Sequence, residues 1–335
     1  MLHNSQAIVE QLTTRQAGVR DALVGSRQSF TSFSSVTRSS SADTIYAIDA
    51  AIDPILEAFC EEWSKTTPLV LVAEGLEDAG IELTHRVFPR GAREEDAVFR
   101  VIVDPIDGTR GLMYDKRAAW SLAGVAPNKG PGTKLSDIEV AVMTELPTSK
   151  MGFADTLWAI KGQGAKGVRT DLRTGDQTLL QLRPSEAHGI DHGFATVSNF
   201  FPGTKVLASE VMEHLARHLI GPADVTRATV FDDQYISTGG QFYELIVGHD
   251  RFNADLRPIF YRLQKQAEGL CCHPYDCATM LIAQEAGVIL TNGLGQLLDG
   301  PFDTTTGLSW AGYANPTLQE RIEPLLTAYL RELGA

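Results

Sequence analysis

Ile8, Leu12, Val19 and Leu23 recur at helical spacing and predict an amphipathic helix near the N-terminus. The pattern then stops: residues 26–41 (SRQSFTSFSSVTRSSS) are serine-rich, without a period, and read as a loop. Periodicity resumes at Ile45, Ile48, Ile52, Ile55, Leu56 and Phe59. At about 100° per residue these positions share one stripe of a helix predicted over 42–63. Asp49 falls at the edge of the stripe, where a carboxylate must be paired, hydrogen-bonded or near a cation. Asp43 falls nearly opposite and suits solvent or the positive end of the helix dipole.

Short runs rich in β-branched and aromatic residues, bounded by breakers, predict strands at 68–73 (PLVLVA), 97–103 (AVFRVIV) and 119–126 (AWSLAGVA). Further strands are expected at 138–144, 156–160, 194–198 and 288–291, with helices at 205–219, 276–286 and 318–333. The mixture predicts a layered α/β protein. No internal repeat and no linker marks off an independent domain. The working division is 1–178, an α+β part with most of the candidate ligands, and 179–335, an α/β part with Asp276 and the segments expected to set specificity.

At 335 residues, with 43% hydrophobic and 21% charged positions, the chain is long enough for a large core. No stretch approaches the roughly 20 apolar residues of a membrane-spanning helix. Residues 1–25 lack a basic segment followed by an apolar run, so no signal peptide and a cytoplasmic location are expected. A net charge of −13 argues against a nucleic-acid partner, and means that an anionic substrate would need cations or local Lys and Arg to hold it. Cys60, Cys271, Cys272 and Cys277 form no paired framework and read as buried thiols.

The densest chemical signal is 104–109 (DPIDGT), directly after an expected strand. Asp104 and Asp107 can converge on a hard cation, Pro105 stiffens the link between them, and Gly108 lets backbone N–H groups approach a phosphate. The same letters also describe an ordinary turn. Glu74 follows the strand at 68–73 and is placed to reach the same cation. Asp276 would sit in the first turn of the helix at 276–286, either as a further ligand or as a helix cap.

In this order and spacing, 42–49 (ADTIYAID), 73–74, 104–109 and 275–287 (YDCATMLIAQEAG), with 158–171 (WAIKGQGAKGVRTD), resemble the inositol monophosphatase superfamily. That superfamily also includes fructose-1,6-bisphosphatases, phosphoadenosine phosphatases and some histidinol phosphatases. The resemblance implies an alternating α/β/α/β/α sandwich and magnesium-dependent hydrolysis of a small polyol or sugar phosphate. It further implies a homodimer, sensitivity to lithium and no membrane partner. The alternatives within the superfamily are a fructose bisphosphatase, a nucleotide phosphatase or a histidinol-phosphate phosphatase. A non-catalytic binding protein on the same fold is the alternative of a different class.

Carried over by position, the resemblance implies that Glu74, Asp104 and the Ile106 carbonyl bind one Mg2+. Asp104 would bridge to a second ion completed by Asp107 and Asp276, and a third would involve the serine-rich loop. Thr109 and Asp49 would activate the water, with Glu74 in the catalytic group, while Gly108 and Thr109 would hold phosphate. The chain departs from the pattern on the substrate side. Gly75 stands where many members have a second acid, and Gly269, beside Glu268, where inositol enzymes have one. Arg110 replaces a usual threonine and could hold an anion. Arg110, His273 and Asp255, the last within 249–256 (HDRFNADL), are the expected substrate contacts.

Overall fold

The computed structural model describes residues 2, 4–25, 36–39, 44–78, 81–222, 224 and 226–335; for 36–39, 44–53, 78 and 81–82 it describes the backbone alone. An eight-stranded mixed sheet lies at its centre. Its neighbouring strands, in order, are Gln177–Leu179, Ala165–Asp171, Phe153–Ile160, Val140–Leu146, Ala119–Pro127, Phe99–Asp107, Leu69–Ala73 and Arg86–Phe88. Alternate residues of one strand serve opposite layers, because successive side chains point to opposite faces. Leu69, Leu71 and Ala73 pack with Leu12, Leu56, Cys60 and Trp63 of the helices Ser5–Gly25 and Ala47–Ser64. Val70 and Val72 face the other way, into a core shared with Phe242, Leu245, Leu281 and Ile282 of the helices Thr238–Ile246 and Met280–Ala286.

That helical layer also covers a four-stranded sheet, ordered Phe194–Val197, Asp250–Asp255, Trp310–Tyr313 and Ile289–Thr291. Lys205–Ile220 and Pro316–Leu333 bury Ala208, Val211, Leu215, Leu318, Ile322 and Leu326 in the same core and form the outer layer. The result is the expected alternation of helix and sheet layers. No helix among the described residues is long and apolar enough to cross a membrane.

Several expectations are corrected. The helix expected over 42–63 begins at Ala47, and Thr44–Tyr46 instead forms an antiparallel pair with Val36–Ser39, inside the stretch read as a loop. Thr44, Ile45 and Val36 are β-branched residues that suit a pleated strand. The strand expected to end at 103 runs on to Asp107. The helix expected from 276 starts at Met280; after Pro274 the chain makes a run of i→i+3 turns that holds Asp276 outside the helix. Asp250–Asp255 and Trp310–Tyr313 are strands, and Thr238–Ile246 and Arg257–Leu263 helices, that the periodicity does not announce.

Candidate metal centre

The site grows from two adjacent strand ends. Leu69–Ala73 pairs in parallel with Phe99–Asp107, Ala73 opposite Val103, so Glu74 emerges beside Asp104. Against the other neighbour, Asp104 opposes Leu122 and Asp107 opposes Trp120. Three steps on one strand thus match two on its partner, which is a β-bulge. In a regular strand, residues three apart point to opposite faces. The extra residue reverses that parity, so Asp104 and Asp107 turn to the same side.

Each carboxylate is fixed by backbone donors. The Ile106 N–H donates to Asp104 Oδ1 at 3.0 Å. Asp107 lies at the start of the helix Thr238–Ile246 and accepts from the Ser237 hydroxyl at 2.9 Å, the Gly239 N–H at 2.5 Å and the Thr238 N–H at 3.3 Å. Helix starts favour negative charge. Asp276 accepts from the His273 N–H at 2.6 Å. One oxygen from each of Asp104, Asp107 and Asp276 lies within 4.8 Å of the others, close enough to share a cation.

Burial, and then the charges of Asp107, Asp276 and Glu74, hold the Asp104 carboxyl well above the usual carboxylate range. Asp276 is raised in the same way, by burial and then by Asp107 and Glu74. Burial also pushes Asp107 up to about 7, against the opposing pull of its three donors. Glu74, Gly108, Thr109 and Tyr275 line the same pocket.

Neither a family model nor a curated protein matches the sequence. Solved structures do. Fructose-1,6-bisphosphatase of Leishmania major matches 99% of this chain and 96% of its own, with TM-score 0.69 and 14% identity. The extragenic suppressor protein suhB of Bartonella henselae matches 96% and 98%, with TM-score 0.62 and 16% identity. The IMPase of Thermotoga maritima matches 97% and 100%, with TM-score 0.60 and 14% identity. The chain has the inositol monophosphatase and fructose-1,6-bisphosphatase fold.

Within this fold the remaining candidates fall in different places. Thr109 opens the short helix Thr109–Met113 and donates its hydroxyl to the Ile106 carbonyl at 2.7 Å. Gly108, at φ 97°, caps that helix, and a Cβ there would stand 3.1 Å from the Cβ of Ser237. Arg110 is on the pocket wall, its guanidinium carbon 5.3 Å from the centre of the Phe201 ring. Asp255 is fully buried, and its carboxylate is taken up by Arg257; among the described residues it is Arg257, not Asp255, that lines the pocket. His273 is buried and stacks on Tyr275 with ring centres 5.4 Å apart, so it stands behind the wall rather than on it. The Asp49 side chain lies outside the described residues, as does most of the serine-rich segment.

Sequence reasoning missed the segment 237–240 (STGG). Its signal was a serine N-cap followed by glycines at the opening of a helix. Ser237 caps by accepting from the Gly240 N–H at 2.8 Å, while its own hydroxyl donates to Asp107. A Cβ at Gly239 would meet Leu122 at 2.5 Å and Asp107 Oδ2 at 3.0 Å. Arg257 was missed as well, although it follows the acid singled out at 255 by only two positions. The four cysteines are buried and free.

Proposed function

We propose that the chain is a magnesium-dependent phosphatase acting on a phosphate monoester of a small polyol or sugar. The convergence of Asp104, Asp107 and Asp276, all oxygen donors, beside a short helix opening at Thr109 supports this reading most directly. Three mutually repelling acids are costly to bury unless cations compensate them. An all-oxygen set of this kind suits Mg2+ rather than a softer metal. Glu74, Asp104 and the Ile106 carbonyl would hold one ion, and Asp104, Asp107 and Asp276 a second.

Magnesium bound there supplies the positive charge that acidifies an attacking water and stabilises phosphoryl and leaving-group oxygens. The chain's own groups do the rest. The N–H groups of Gly108 and Thr109, at a helix start, orient a phosphate oxygen. The Thr109 hydroxyl, positioned on the Ile106 carbonyl, passes a proton away from the water, and Asp49 is the carboxylate assigned to receive it. Asp107 is held in place by Ser237 and Gly239.

Release of inorganic phosphate from a panel of sugar, polyol, nucleotide and amino-alcohol phosphates, with Mg2+ or with EDTA, tests the reading. Turnover of at least one ester is expected. EDTA should abolish it, and Asp104→Asn should lower it by about a thousandfold or more. Full activity in EDTA, or near-normal turnover by Asp104→Asn, would remove the basis for the assignment.

A further inference from the structure

Arg257 brings to the pocket a positive charge for which the proposed hydrolysis has no use. It is only 5% exposed yet lines the pocket wall. Its Nε donates to both oxygens of Asp255, at 2.9 and 3.1 Å, and its Nη2 donates to Oδ2 at 2.5 Å. Its Nη1 donates to the Leu270 carbonyl at 3.1 Å. A guanidinium has five N–H donors. These bonds occupy Nε–H and one hydrogen on each terminal nitrogen, leaving one hydrogen on each.

The purely structural reading is that the ion pair ties the start of the helix Arg257–Leu263 to the loop at 270. That purpose does not account for the residue's place on the pocket wall. On that wall the Phe200 and Phe201 ring centres lie 5.2 and 5.5 Å from the guanidinium carbon, and Leu270 is their neighbour. A fork fixed by a fully buried aspartate, with donors left over, is preorganised for an oxyanion. In the phosphatase reading, cations held by the acidic cluster and the N–H groups of Gly108 and Thr109 would serve the scissile phosphate.

We infer that Arg257 reads a second anionic group, a phosphate or a carboxylate, on the same small molecule that carries the scissile ester, with Phe200 and Phe201 packed against its carbon skeleton. This rests on the phosphatase reading for the position of the first phosphate. Arg257 is thus a specificity-determining residue.

Titration calorimetry in saturating Mg2+ with three non-hydrolysable probes tests it: propylphosphonate, propane-1,3-bisphosphonate and 3-phosphonopropionate. The wild-type chain should bind at least one two-anion probe about tenfold to a hundredfold more tightly than propylphosphonate, the range expected of a charge-assisted contact. The tighter of the two identifies the second group as phosphate or carboxylate. The double variant Asp255→Asn/Arg257→Gln, which replaces the buried ion pair by a neutral pair, should shrink the gap to less than about threefold. Arg257→Lys, which keeps the charge without the fork, should fall between and guards against loss of fold. Equal affinity for the three probes, no binding of any, or a gap that survives in the double variant would overturn the inference. Failure to hydrolyse any ester, with the binding gap intact, would count against the phosphatase reading alone.

Discussion

Asp107→Asn should change how stability depends on pH in the metal-free protein. In the folded chain Asp107 titrates near 7, against 3.8 for an ordinary aspartate, chiefly because it is buried. A folded-state pKa raised above the unfolded one means that the folded state keeps a proton the unfolded state has lost. Stability therefore falls as pH rises from about 4 to about 7, and this group adds no further slope above that. At roughly 1.4 kcal/mol per pH unit, the window is worth roughly 4 kcal/mol. At about 2 °C per kcal/mol for a chain of this size, the wild-type Tm should drop by roughly 8 °C more than that of Asp107→Asn between pH 4 and pH 8. Scanning calorimetry on both proteins in EDTA measures the difference. Saturating Mg2+, which needs the ionised carboxylates, should raise the wild-type Tm more at pH 8 than at pH 5. Parallel Tm curves for the two proteins in EDTA would refute the reasoning, because they would mean that Asp107 ionises in the folded chain as freely as in water.

Gly239→Ala should destabilise the fold by about 1–3 kcal/mol in urea denaturation, since its Cβ would meet Leu122 at 2.5 Å and crowd Asp107. Unchanged stability would mean that the helix start is looser than described. Asp255→Ala should cost about 3–5 kcal/mol by leaving the Arg257 guanidinium buried without its partner, and Asp255→Asn/Arg257→Gln should cost less than that in the same assay. Equal losses in the two would point to packing rather than charge.

The layered α/β class was legible because it rests on local patterns. The alternating core of 69–73, the stripe through Leu56 and Cys60, and the apolar run around Leu281 each show their period in the chain. What the periods could not show was register. Whether Asp104 and Asp107 share a face depends on a one-residue bulge opposite Leu122 and Trp120, a property of the partner strand rather than of the motif. The donors to Asp107 come from residues 130 or more positions away, and no local signal links Ser237 or Gly239 to it. From the sequence alone Asp255 reads as an acid available to substrate. Its burial follows from Arg257, which takes up the carboxylate and itself occupies the pocket wall. At 44–46 the helical spacing of Ile45 with Ile48 masked a strand whose partner at 36–39 lies within the serine-rich run.

In the proposed function, four acids from three separated segments of the chain would hold divalent cations at one point. Crystals grown with Mn2+ in place of Mg2+ and measured at the manganese absorption edge test it most directly. Two anomalous peaks are expected, one touching Glu74, Asp104 and the Ile106 carbonyl, the other touching Asp104, Asp107 and Asp276. Saturating Mn2+ with no peak among these residues, or with peaks only elsewhere on the molecule, would mean that these acids are not metal ligands.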